Sequence, residues 1–384
     1  MFDPVGARDG GGTSFEKGSG FASDLTFGGR LTGRTADFGS ASRGSSPRPR
    51  AYDAVLLVSF GAPERPEDIR PFLEKVTRGR GVPPARLEAV ERQYLSLGGK
   101  SPLGEQVRAL GMALSEAMHA LGLDVPVYLG NRNWHPLLED TLRQMAEDKV
   151  SRALALTTSP WSSYSSCRQY LENIEEAQRA VGEACPEVYK LPPYWNLEAF
   201  VAAWTRRVAE AISQVPHEER DRLALLFSAH SIPEWMAAAS DYALQLNDVA
   251  AAVSSRLGGI AWMVAYQSRS GSGAEPWLGP DVMEAYFELA RKGRIVVVVP
   301  LGFLSEHMEV LYDLDVALAD QAARLGSRFL RTRCVGDQPG FVAGLAELVA
   351  FAFGDGPEPP RAMELEMRGP YCGPGCCLVA SEAG

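Results

Sequence analysis

The chain has 384 residues, 46% of them hydrophobic and 22% charged, with a formal net charge of −10. That length allows two domains with cores of their own, and the balance excludes both a disordered and a membranous composition. The acidic surplus argues against a nucleic-acid partner, and the longest apolar run, Ile295 to Leu304, is broken by Pro300 and Gly302, well short of the roughly 20 residues of a transmembrane segment.

Residues 1–50 hold 11 glycines and 7 serines and end in "SSPRPR". They bury too little to offset their ordering entropy and are expected to form a disordered extension. Asp3, Asp9, Glu16, Asp24 and Asp37 weigh against a transit peptide, which is acid-poor. Regular patterning starts after Arg50. "AVLLVSFG" (54–61) predicts a fully buried strand stopped by Gly61 and Pro63. In "EDIRPFLEKV", Ile69, Phe72, Leu73 and Val76 fall on one helix face. The alternation recurs, with "VPVYLG" (125–130) before a helix over 137–147 and "RALALTT" (152–158) before one near 167–181. A long helix is predicted within 194–215, and the polar "PHEERD" after it marks a boundary. Then "RLALLFSAH" (222–230), "IAWMVAYQS" (260–268) and "RIVVVVPLGF" (294–303) each precede a helix, near 240–257, 280–291 and 305–324. Strands alternating with helices predict an α/β fold of two doubly wound, Rossmann-like parallel-sheet domains facing a cleft, over 51–218 and 219–354, with a cysteine-bearing tail at 355–384.

Ligands in such folds sit beyond the carboxyl ends of strands, so chemistry is sought there. His230 follows "LLFSA", where the small Ser228 and Ala229 leave room for a bulky group, and Pro233 ends the strand. A histidine at that point can also simply cap a strand. After "VVVVPLGF", Ser305 is the expected N-cap, and Glu306, Glu309 and Asp313, at i, i+3 and i+7, are expected to share one helix face. Acids in a first turn also suit the helix dipole. A histidine and carboxylates offered from neighbouring strand ends suit a divalent cation or proton transfer. Three more stretches surround strand ends: "RQYLSLGGKSPLGEQ", "TTSPWSSYSSCRQY" and "AYQSRSGSGAEPWLGPDV".

Taken in order, "LLVSFGAPERPEDIRPFL", "GGKSPL", "FSAHSIPE", "YQSRSG…WLGPDV" and "VPLGFLSEHMEVLYDLD" resemble the ferrochelatases, which insert Fe²⁺ into a porphyrin. The resemblance runs from about Tyr52 to Phe353 and implies the chelatase-type fold. It implies that His230 and Glu309 are the catalytic, iron-facing pair, with Glu306 and Asp313 as accessory acids. It implies porphyrin contacts at Ser101, Tyr170 and Tyr94, with Phe60 facing the ring. Some relatives have a tyrosine there, and phenylalanine cannot ligate. Arg78 and Arg80 in "TRGRG", and Arg132, suit propionates, because arginine grips carboxylates bidentately. Where many relatives continue the acidic ladder, this chain has Ala317. "LVSFGAPE" with a cysteine tail is similar to the branch acting on coproporphyrin III. Protoporphyrin IX is the alternative substrate, and a non-catalytic haem or iron carrier the alternative of another class. A cytoplasmic protein with a downstream haem-pathway enzyme as partner is expected.

The tail "RGPYCGPGCC" adds Cys372, Cys376 and Cys377. The resemblance to ferrochelatases that pair one internal cysteine with a C-terminal trio implies a [2Fe–2S] cluster, with Cys167 as the internal ligand. Four thiolates also suit zinc. Cys185 and Cys334 read as ordinary buried cysteines.

Overall fold

Two four-stranded parallel sheets with the same strand order organise the structure, a computed structural model that describes residues 52–79, 81–269 and 275–363. In the first sheet β1 (Ala54–Ser59) is flanked by β2 (Val127–Asn131) and β3 (Arg152–Thr157), and β4 (Glu187–Lys190) follows β3. The second repeats the arrangement, with β5 (Leu223–His230) between β6 (Trp262–Gln267) and β7 (Ile295–Val299), and β8 (Phe329–Arg331) outside β7. The runs "AVLLVS" and "IVVVV" are buried at every position, and apolar at all but Ser59, because helices cover both faces of a parallel sheet.

The first half carries α1 (Pro66–Val76), α2 (Pro84–Ser96), α3 (Leu103–Ala120), α4 (Leu138–Glu147), α5 (Gln169–Val181) and α6 (Glu198–Ser213), with a π-helical turn at Tyr164–Arg168 before α5. The second carries α7 (Glu234–Ala238), α8 (Tyr242–Arg256), α9 (Val282–Arg291), α10 (Met308–Val310), α11 (Ala319–Arg324) and α12 (Pro339–Phe353), with a π-helical stretch at Leu311–Leu318 between α10 and α11. Ile69, Phe72 and Leu73 of α1 are buried, as their spacing predicts. α12 is apolar on nearly all sides because it packs between α3 and α6, so one hydrophobic cluster continues from Val55 through Phe200 and Val297 to Phe353. The chain then turns back onto the first half, where Met363 N and Asn196 Oδ1 are 2.9 Å apart.

The helix expected over 305–324 differs in detail. It starts at Met308 with His307 at the cap, so Ser305 is not its N-cap. The expected disorder of residues 1–50 lies outside the described residues, as do Arg80, Cys372, Cys376 and Cys377. Among the described residues no helix is long and apolar enough to cross a membrane.

Candidate active site

The carboxyl ends of β5 and β7 bring the first two candidates together. Gly302, just after β7, lies against β5: its N–H donates to Ser228 O at 3.0 Å, and a Cβ there would fall 2.7 Å from the Ala229 Cα. The small residues before His230 therefore admit the neighbouring backbone, not a bulky ligand group as the sequence suggested. The post-β7 segment is drawn close to His230. Across the molecule, Trp161 Nε1 donates to Gly302 O at 3.2 Å, tying the loop after β3 to the same point.

His230 is fixed at two points and faces an acid at a third. Its Nδ1 lies 2.5 Å from Ser231 O, its carbonyl accepts from the Tyr242 hydroxyl at 3.0 Å, and its Nε2 stands 3.6 Å from Glu309 Oε2. A carbonyl only accepts, so the proton sits on Nδ1, and in the neutral ring the Nε2 lone pair faces Glu309. Ser231 is itself fixed, through its N–H to Gln267 O and its hydroxyl to Leu278 O.

Glu309 projects from α10 between the buried Met308 and Val310, with its own side chain about half open (53%). Even so, withdrawal from bulk water raises its carboxyl above the usual range; the nearby His230 opposes this and Asp313 adds to it. Asp313 is raised too, by burial, against hydrogen bonds from Ser268 Oγ at 2.5 Å and Gln267 Nε2 at 3.3 Å. The same Gln267 Nε2 reaches Glu309 O at 3.3 Å, so one amide links the segment's two acids. Ser268 takes φ of 60°, the left-handed region, to aim its hydroxyl at Asp313. His307 is pushed down to about 3, first by burial and then by its nearness to the second imidazole of His230, so His307 stays neutral.

Glu306 does not join this group. It lies in the irregular segment before α10, not on the helix, and its buried carboxylate meets Arg331 Nη1 at 3.1 Å and accepts from Cys334 N at 2.9 Å. The expected shared face of three acids is thus reduced to Glu309 and Asp313.

The described residues expected to meet a porphyrin belong to the first half, Phe60 and Arg132 directly after β1 and β2 and the others on or beside helices. Phe60 is 36% exposed, and Arg132 stacks over its ring at 5.5 Å and over Tyr170 at 4.4 Å. Arg132 Nε donates to Asn173 Oδ1 at 2.7 Å, which fixes the plane of the guanidinium. Tyr170 is buried, as is Ser101, whose Oγ accepts from Leu103 N at 3.3 Å at the start of α3. Tyr94 is buried against Phe72 and Met308, and burial followed by the charge of Glu309 raises its phenol well above the ordinary value. Arg78 is exposed at the end of α1. Gly61 (φ 81°) must be glycine, since a Cβ would sit 2.8 Å from Trp134 N. Cys167 is buried in the π-helical turn, and its Sγ accepts from Lys190 Nζ at 3.2 Å. Among the described residues no group of three or more His, Cys, Asp or Glu side chains is gathered around one point that could hold a metal ion.

Tyr242 and Gln245 on α8 touch this region without any motif to mark them. Their only signal in sequence is a polar pair one turn apart on an otherwise ordinary amphipathic helix.

Known proteins match this chain over the same span. A sequence model of the ferrochelatase family, described as "Ferrochelatase", matches residues 52–352. "Coproporphyrin III ferrochelatase" of Nocardia farcinica is 42% identical, covering 85% of this chain and 97% of its own. The protein of that name from Frankia alni is 46% identical, covering 85% and 87%. "Ferrochelatase" of Rhodopirellula baltica is 44% identical, covering 85% and 93%. The structure of SirB from Bacillus subtilis with Fe³⁺ superposes with a TM-score of 0.47 at 14% identity, covering 76% of this chain and 92% of that one. With the family match spanning both sheets and the residues that converge on His230, the chain belongs to the ferrochelatase family and is a metal-inserting enzyme.

Proposed function

We propose that the enzyme inserts Fe²⁺ into coproporphyrin III to give coprohaem, with His230 and Glu309 as the catalytic pair and the halves 51–218 and 219–354 as two lobes around the porphyrin. The observation that carries this reading is the 3.6 Å approach of His230 Nε2 to Glu309 Oε2, with the imidazole held in the tautomer that presents a lone pair. The relatives named for coproporphyrin III support the substrate.

Metallation requires two pyrrole N–H protons to leave while iron sheds water. The Nε2 lone pair is suited to take the first proton or to ligate iron. Glu309, raised by burial, accepts a proton more readily than an exposed carboxylate, and Asp313 one turn further on offers the exit. Two protein ligands leave iron's other positions to water and then to ring nitrogens, so the ion is not trapped. Phe60 offers an exposed apolar face for the macrocycle, with the buried Tyr170, Tyr94 and Ser101 proposed as further contacts beside it. Arg132, Arg78 and Arg80 provide charge for four propionates.

Cys167 fits a thiolate ligand, because the Lys190 ammonium donates to its sulfur in a buried setting. The segment from Met363, bonded to Asn196, to Cys372 can span roughly 30 Å when extended. We therefore propose that Cys167, Cys372, Cys376 and Cys377 hold a [2Fe–2S] cluster, which when bound supplies a one-electron centre and a covalent tie between tail and core. A brown purified protein that loses its visible absorbance in Cys167→Ser supports the cluster; a colourless protein rejects it. We also propose a cytoplasmic setting and transfer of coprohaem to the enzyme that consumes it.

Anaerobic Fe²⁺ insertion with coproporphyrin III and protoporphyrin IX side by side tests the substrate. Higher kcat/KM on coproporphyrin III is expected, and preference for protoporphyrin IX overturns it.

A further inference from the structure

His230 ends β5 in the second sheet, Cys167 lies in the π-helical turn that follows β3 of the first, and one helix touches the neighbourhood of both. At the start of α8, the buried Tyr242 donates its hydroxyl to the His230 carbonyl at 3.0 Å. One turn on, the buried Gln245 grips Ser162 twice: its Oε1 accepts from Ser162 N at 2.8 Å, and its Nε2 donates to Ser162 Oγ at 2.7 Å. Ser163, next in the chain, caps the π-helical turn, accepting from Ser166 N through its hydroxyl and from Cys167 N at 3.0 Å through its carbonyl. Residues three apart on a helix share a face, so the two grips move as one body.

We propose that Tyr242 and Gln245 are positioning residues for metal insertion, which together set the placement of His230 and tie it to the turn that carries Cys167. The inference rests on the reading of His230 as the metal-facing base. The bond from Tyr242 fixes the carbonyl of the residue whose ring must point Nε2 at Glu309, and small misplacements of a reacting group are costly. A shift of the Cys167 turn pulls on Ser162, hence on Gln245, hence on Tyr242 and His230. The path uses four buried polar groups on the first turn of one helix and the loop it grips.

The test compares Tyr242→Phe and Gln245→Met with the full-length wild type, by steady-state Fe²⁺ insertion and by amide hydrogen exchange. Tyr242→Phe should lower kcat about two- to tenfold, the worth of one hydrogen bond, while KM for the porphyrin stays within about twofold. Exchange should speed up in peptides covering 228–236 and stay unchanged over 162–168. Gln245→Met should speed exchange in both segments and lower kcat, and Gln245→Glu, which keeps an acceptor for Ser162 N, should restore most of the loss. Unchanged kcat and exchange in Tyr242→Phe, or faster exchange confined to 162–168 in Gln245→Met, overturns the proposal. Tyr242→Phe removes a single oxygen and keeps the test decisive if Gln245→Met does not fold. His230→Ala with near-native turnover would instead reject the site reading, whereas the exchange comparison would still report on the link.

Discussion

His230 Nε2 and Glu309 Oε2 stand 3.6 Å apart, one at the end of β5 and the other on the short helix that follows the adjacent strand β7. Neither is held by the other. His230 is fixed by Ser231 and Tyr242, and Glu309 by the buried neighbours on either side. The pair is therefore pre-formed on rigid elements, a geometry that suits an ion arriving and leaving.

Glu309 should be a stability liability in the resting protein. Its folded carboxyl is raised above its unfolded value, so between those values the native state binds more protons and stability falls as pH rises through that window. Glu309→Gln should therefore show a Tm equal to or above wild type at pH 7, with the difference shrinking toward acid, while insertion falls about 100-fold or more. Thermal melts across pH 4–8 beside turnover check this. A variant less stable than wild type at pH 7 would contradict the placement.

Glu306 should behave in the opposite way. Glu306→Gln leaves Arg331 with Asp315 alone and Cys334 N with a weaker acceptor, at a cost of about 2–3 kcal/mol in urea unfolding. Activity per folded molecule should change little, since the carboxylate is turned from the His230 pair.

Ser268 combines a left-handed backbone with a hydroxyl on Asp313. Ser268→Val adds a β-branched side chain where φ is positive and deletes that bond, so about 2 kcal/mol of stability should be lost. Ser268→Gly relieves the strain and isolates the loss of the hydroxyl. A lower kcat at native Tm is the expected result, read by melts and insertion assays together.

Arg132 lies over the rings of both Phe60 and Tyr170 and is oriented by Asn173. If it receives a propionate, Arg132→Met should raise KM for coproporphyrin III about tenfold, the worth of a charge-assisted hydrogen bond, with a smaller effect on kcat. Titration of porphyrin fluorescence quenching provides an independent affinity. Equal affinity in variant and wild type would remove Arg132 from the binding surface.

The parallel strands were legible because their apolar runs are short and bounded by glycine or proline, as in "AVLLVSFG" and "RIVVVVPLGF". The meeting of His230 and Glu309 was legible because one ends a strand and the other lies in the segment after the neighbouring strand, in motifs that resemble a known family. Helical spacing alone misread Glu306: it assumed a helix from 305, whereas the chain runs through turns and bends as far as His307, and Glu306 meets Arg331 on β8. That partner is distant in sequence, and no local pattern announces it. Short edge strands such as β8, "FLR", carry too few residues to show a period. The Gln245 contact depends on the packing of one half's helix against the other half's loop, and the Tyr242 contact on where α8 meets the end of β5, neither of which spacing can reveal.

The most direct measurement is anaerobic Fe²⁺ insertion into coproporphyrin III by the wild type, His230→Ala and Glu309→Gln at equal folded concentration. The account predicts rapid insertion by the wild type and at least about a 100-fold loss of kcat in each variant. Near-native turnover in either variant would contradict it.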